Sequence, residues 1–321
     1  MNIKKIGLTA LAGALVSVSA NAADLSVTGG ASLGFSGEEK TDKGNGWTMN
    51  DGISFSASAE MDNGWVVSTS MLLDSSDGVA GAVIDNRSMT IDMGDAGTLT
   101  FYGDGGSSNI SLMDDTTPTA GEESWDDVAG ATAHAYGPTG YDTFFYQNSS
   151  LMDGVTIGLD YIPSDGATQI ESSTAMTIKY TGIDGLTIGA GVGEDNGEGP
   201  ADADDVTAFN VTYAMDAVSI GFSSYEVDSN ATASGSGATH VGDTTLTAMG
   251  ISYAVSDDLS ISINSSETEI EGLKDQEAMG VSASLVVGSM TLSANHNKVE
   301  NVGGTDGKDR SGYAMGLSFA F

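Results

Sequence analysis

Large apolar residues stand at every second position along most of this chain, in runs of about ten residues separated by polar stretches. In WTMNDGISFSASAEM, residues 47–61, one side carries Trp47, Met49, Ile53, Phe55, Ala57, Ala59 and Met61. Ser54, Ser56, Ser58 and Glu60 take the other. Leu25, Val27, Ala31, Leu33 and Phe35 repeat the pattern, as do Met249, Ile251, Tyr253 and Val255, and then Met279, Val281, Ala283 and Leu285. A period of two is that of a strand with unlike faces. About ten residues is also the length at which a tilted strand crosses a bilayer.

The connections alternate in kind. Short ones centre on Asp62-Asn63-Gly64, Asp95-Ala96-Gly97, Met152-Asp153-Gly154, Ile183-Asp184-Gly185, Asp216-Ala217, Ser256-Asp257-Asp258 and Val287-Gly288. Asn-Gly and Asp-Gly pairs admit the positive φ angles of tight hairpins. Long polar ones cover roughly residues 37–46, 74–86, 104–141, 163–172, 194–205, 228–244, 267–276 and 300–309. Seven short and eight long connections predict sixteen antiparallel strands in an all-β fold. The short-long rhythm is that of a transmembrane β-barrel with both termini at the short-turn end. Tyr146, Tyr180, Tyr213 and Tyr253 fall just before short turns and Trp65 just after one, as an interfacial aromatic girdle requires.

The last run, RSGYAMGLSFAF, sets Tyr313, Met315, Leu317, Phe319 and Phe321 against Ala314, Gly316, Ser318 and Ala320. Hydrocarbon can face such a stripe, and closure of the barrel leaves the final strand no bare edge. Small or polar residues on the inner face predict a lumen that is not packed shut, and a barrel this wide holds a water-filled channel.

Residues 1–22 read as a signal peptide: Lys4 and Lys5 precede an apolar run, and Ala20-Asn21-Ala22 offers a cleavage site. The barrel then occupies residues 23–321. Ten basic and 45 acidic residues give a formal charge of −35. That balance excludes nucleic acid as a partner and favours cations. With no cysteine, an exported chain of this length depends on backbone pairing and burial alone.

Several segments resemble the general porins of Gram-negative outer membranes. The terminal SFAF is similar to the aromatic last strand that the barrel-assembly machinery reads in that family, which makes Tyr313, Leu317, Phe319 and Phe321 the assembly signal. NRSMTIDMGDAGTLTFYGD, residues 86–104, resembles the hairpin of strands four and five around its Gly-Thr turn. TLSANHNKV with KDRSGYAMGLSFAF resembles the last hairpin. The resemblance implies a homotrimer of sixteen-stranded barrels in outer-membrane lipid that passes small hydrophilic solutes by diffusion.

It also implies a third long loop folded into the lumen. The third connection is the longest, and Asp114, Asp115, Glu122, Glu123, Asp126 and Asp127 are the candidates for an acidic constriction. The family sets arginines and lysines on the facing wall, and here Arg87 and Lys179 are the only candidates near strand positions. An acidic ring without a basic counterpart draws cations.

Other chemistry is thinly represented. His134, His240 and His296 accompany no nucleophile motif such as G-x-S-x-G, so an enzyme is not expected. No cofactor is expected either. Carboxylates in DDTTPTAGEESWDD and EDNGEGPADADD offer oxygen ligands for calcium, although Asp202-Ala203-Asp204-Asp205 lacks the glycine and closing glutamate of an EF-hand. The competing readings are a structural, adhesive or calcium-binding barrel without significant conductance, and a soluble acidic β-repeat protein.

Overall fold

The computed structural model describes residues 24–39, 46–74, 83–113, 116–121, 123–131, 142–165, 171–196, 204–229 and 242–321. The leader expected at residues 1–22 lies outside them, as do His134 and His240.

The chain forms sixteen strands: β1 (Asp24–Glu39), β2 (Gly46–Glu60), β3 (Val66–Asp74), β4 (Val83–Asp92), β5 (Thr98–Asp104), β6 (Thr143–Met152), β7 (Val155–Ile162), β8 (Ser173–Ile183), β9 (Leu186–Asp195), β10 (Asp204–Met215), β11 (Val218–Ser229), β12 (Thr244–Ala254), β13 (Leu259–Ile270), β14 (Gln276–Val287), β15 (Met290–Glu300) and β16 (Arg310–Ala320). Each pairs antiparallel with the next, and β16 pairs with β1 to close a barrel. The expected strand count and alternation of turns hold. Some boundaries differ by three or four residues: β1 runs on to Glu39, β4 starts at Val83, and β13 runs on to Ile270, where Thr268 and Ile270 are buried on the inner face.

Register fixes which side chains face out. Leu33 lies opposite both Met49 and Leu317, and Phe35 opposite Trp47 and Met315. Ser32, Gly34, Ser36, Gly316 and Ser318 therefore point inward. The outer wall is a belt of exposed apolar residues, among them Ile178, Ile220, Ile251, Ile263 and Val281. Exposure on this scale fits hydrocarbon and not water.

Tyr146, Tyr180, Tyr213 and Tyr253 all fall on that outer face near short turns, where Tyr146 also donates from its hydroxyl to the Ala96 carbonyl (2.8 Å). At the long-loop end, Phe35 packs against Trp47 with ring centroids 4.8 Å apart. Outward carboxylates replace apolar residues there on β11 to β14: Glu226, Asp228, Glu267, Glu269 and Glu277. They mark the upper limit of the belt.

Short turns rest on residues that accept positive φ, such as Gly154 (72°) and Gly185 (74°). The seam closes at the last residue. Phe321 N–H donates to the Gly29 carbonyl (2.9 Å), and Gly29 N–H donates to the Phe321 carbonyl (2.7 Å). A Cβ on Gly29 would come within 2.8 Å of the Phe321 ring, so glycine is the residue that lets the terminal aromatic lie against β1.

Deletion of Phe321 removes this hydrogen-bond pair, each bond contributing about 0.5–1.5 kcal/mol. The truncated barrel should unfold several degrees lower, measured as the temperature at which the compact band on a detergent gel converts to the slow one. An unchanged transition temperature would show that the seam does not limit stability.

Candidate functional site

The connection between β5 and β6 does not extend away from the barrel. Its described residues run along the inner face of β7 to β16 and reach β1. Asn109 begins the path: its backbone N–H and side-chain amide donate to the two carboxylate oxygens of Asp160 (2.8 and 2.7 Å), and Gln147 donates to Asn109 Oδ1 (2.7 Å). Asp160 is only 5% exposed. Ala120 N–H then donates to Ser262 Oγ (2.9 Å), and Ser124 shares a hydroxyl bond with Ser266 (3.0 Å).

Asn297 donates to the carbonyls of Glu123 and Asp126 (2.8 Å each). Glu38 and Arg310 hold the far end. Ala129 N–H donates to Glu38, Arg310 donates to the Ala129 carbonyl (2.7 Å), and the two side chains pair at 3.8 Å.

Glycines on the wall make room for this path. A Cβ on Gly191 would lie 3.0 Å from Met113 Sδ, and one on Gly250 would lie 2.6 Å from the Pro118 carbonyl oxygen. Real Cβ atoms do not approach oxygen so closely, so bulk at Gly250 would push the loop off the wall.

An apolar core lies between loop and wall, inside the barrel. Ile110, Met113 and Trp125 pack with Ala175, Val206, Ala208, Tyr225, Val227, Leu246 and Ala248. Each of the valine, leucine, isoleucine and methionine side chains among them, fully buried, contributes about 1.5–3 kcal/mol. This corrects the expectation of an inner face made only of small and polar residues. Across β10 to β12 the apolar phase switches part-way along the strand. On β12, Leu246 and Ala248 face in, whereas Met249, Ile251 and Tyr253 face out. That switch is visible in the sequence, where it breaks the alternation once per strand, and it is the signal that was missed.

The sequence candidates separate accordingly. Asp114, Asp115 and Glu122 lie outside the described residues. Glu123 is 6% exposed and Asp126 is half-buried, with one carboxylate oxygen accepting Glu123 N–H (3.2 Å). Asp127 is exposed, in left-handed backbone (φ 58°), and accepts from Asn295 (2.7 Å). Lys179 faces the lumen opposite Thr156 and Gly189.

Arg87 does not join it. It shares the outer face with Met71 and Met89 and donates to the Gly103 carbonyl (3.3 Å), so the expected pair of basic wall residues is not assembled. Sequence inspection also passed over Arg310, which reaches the loop.

The wall facing the loop is lined by hydroxyls. Ser26, Thr28 and Ser32 of β1, Ser54 and Ser56 of β2, Ser68 and Ser70 of β3, and Thr90 and Thr100 of β4 and β5 point inward. Ser26 bonds Ser56, and Thr90 bonds Thr100, each at 2.9 Å. Among the described residues of β1 to β6, no lysine or arginine faces the lumen. No three metal-ligating side chains converge among the described residues. His296 faces outward on β15 opposite Tyr313.

A family model described as "Gram-negative porin" matches residues 7–269. No curated protein matches the chain by sequence. Among solved structures, a triple mutant of the Rhodopseudomonas blastica porin superposes with a TM-score of 0.66 at 16% identity, covering 93% of this chain and 100% of that one. A second variant of that porin gives 0.67 at 16% over the same shares. At such identity the likeness is one of fold.

Replacing Asp160 with alanine leaves the Asn109 backbone N–H unpaired and its side-chain amide with only the Tyr146 carbonyl (3.3 Å), at about 1–3 kcal/mol for a buried donor. Single-channel current should then flicker, and protease added to the folded barrel should cut within residues 105–131 faster than in the parent. Quiet current and unchanged cleavage would show that the loop does not depend on this clamp.

Proposed function

The chain belongs to the Gram-negative porin family, whose fold serves as a passive, non-enzymatic channel in the outer membrane, and we propose that this one prefers cations and is narrowest beside its inner loop. The observation that carries the reading is the sign of the charge in the lumen. Exposed Asp127 stands on the loop, a hydroxyl wall without bases faces it, and Arg310 is occupied by Glu38 and the Ala129 carbonyl.

A fixed negative charge with no base on the wall across from it raises the local cation concentration. Small hydrophilic solutes then pass along β1 to β5, where paired hydroxyls offer hydrogen bonds and the inward carboxylates of Asp74 and Asp92 add further negative charge.

Residues 1–22 act as the export signal in this reading, which puts the short turns in the periplasm and the long loops outside. The last strand is the segment offered to the barrel-assembly machinery, through Tyr313, Leu317, Phe319 and Phe321 on its outer face. A homotrimer accords with the apolar outer face of β16, β1 and β2, where Leu33, Trp47, Met49, Met315 and Phe319 are exposed. Calcium held by the acidic loops stays a separate proposal, tested by titrating the folded protein for a saturable heat.

Reversal potentials across a planar bilayer with a tenfold potassium chloride gradient test the selectivity. Permeability to potassium should exceed that to chloride severalfold at 0.1 M, and the ratio should fall toward one near 1 M as the screening length shrinks from about 10 to about 3 Å. Asp127→Asn should lower the ratio at low salt. Chloride preference in the parent would overturn the reading.

A further inference from the structure

A recess opens under the loop, on its short-turn side, that the pore reading leaves unused. It encloses about 340 Å³. Thr156 of β7, Thr177 and Lys179 of β8, Thr187 of β9 and Thr212 of β10 line its wall, and Leu112 of the loop covers it. All five wall residues face inward by register. Two features are unusual in this lumen.

Lys179 is exposed and has no ion pair among the described residues, whereas Arg310 and Lys298 each have one. Leu112 is 56% exposed to the lumen, although neighbouring Met113 and Ile110 are buried in the core between loop and wall. An ammonium with no ion pair among the described residues, four hydroxyls and an exposed apolar side chain thus border one small volume.

We propose that this recess is a binding subsite for the carboxylate end of small zwitterionic solutes, with Lys179 as its specificity-determining residue. The lysine and the threonine hydroxyls are donors that a carboxylate can accept from together, and charge-assisted bonds of this kind are about twice as strong as neutral ones. Leu112 lies where methylene groups of the solute would run.

The charge of the route selects the solute class. A simple anion must pass the acidic loop unaided, and a simple cation gains nothing from Lys179. A molecule with both charges enters without net repulsion and can leave its ammonium in the acidic lumen while its carboxylate docks. The assignment rests on the cation-preferring reading of the pore, and the test separates the two.

The full-length pore in a planar bilayer receives 4-aminobutyrate, butylammonium or butyrate on the long-loop side, from which each must pass the acidic loop, while potassium current is recorded. The subsite predicts saturable reduction of current by 4-aminobutyrate. Lys179→Gln should weaken the apparent affinity at least fivefold, and Lys179→Arg should keep it within twofold, which also controls for folding. Butylammonium should show no dependence on residue 179.

An unsaturable effect in the parent, or equal affinity in Lys179→Gln, overturns the subsite. So does a block by butyrate matching that by 4-aminobutyrate, since the site would then be one for anions. Chloride preference in the parent overturns the pore reading instead.

Discussion

The backbone of a strand in hydrocarbon has nowhere to place its N–H and C=O groups except another strand. Everything else in this protein follows from satisfying that demand around a full circle. β16 must meet β1, and it does so down to the final residue, where Phe321 and Gly29 exchange two hydrogen bonds. Once the ladder is closed, one face of every strand is committed to acyl chains and the other to whatever the cylinder encloses. The outer face has a simple solution in aliphatic and aromatic side chains. The inner face has to be both polar enough for water and firm enough to hold a constriction.

The protein meets those inner requirements by dividing the circumference. From β8 to β15 the wall near the long loops is apolar, and the loop after β5 is laid against it with Ile110, Met113 and Trp125 buried. Side-chain amides and hydroxyls of Asn297, Ser262 and Ser266 then bind the loop where apolar contact alone would let it slide. From β1 to β5 the wall keeps its hydroxyls and stays open. The waterway is therefore off the barrel axis, with Asp127 on one side and a wall mainly of serine and threonine, joined by Asp74 and Asp92, on the other. The proposed selectivity and the proposed solute contact both rest on that placement, since Asp127 and Lys179 are carried by the packed side and face the passage.

Strands and turns were legible because their determinants are local. Period two in Trp47 to Met61, or an Asp-Gly pair before Leu186, needs no knowledge of what lies across the barrel. The path of the loop was not legible, because it is fixed by partners as distant in sequence as Asn109 with Asp160 and Ala129 with Glu38. The direction of Arg87 failed for a different reason. Arg87 keeps the phase of Met89, which faces out, and it was the pattern of the resembling family, not the alternation along β4, that put it on the inner wall. The inner apolar core was readable in principle, since Tyr225 and Val227 fall out of phase with Val218, Ile220 and Phe222, and only a closed barrel gives that slip a meaning.

The division of the wall into a packed and an open arc can be tested directly because the chain has no cysteine. Single cysteines introduced at Ser54, Ser70, Val227 and Leu246 would be exposed to a cationic, membrane-impermeant thiol reagent while current is recorded. The account predicts rapid modification and loss of current at Ser54 and Ser70, and no reaction at Val227 or Leu246 over the same time. Equal rates at all four positions would mean that water reaches the whole inner surface and that the loop is not seated on the wall.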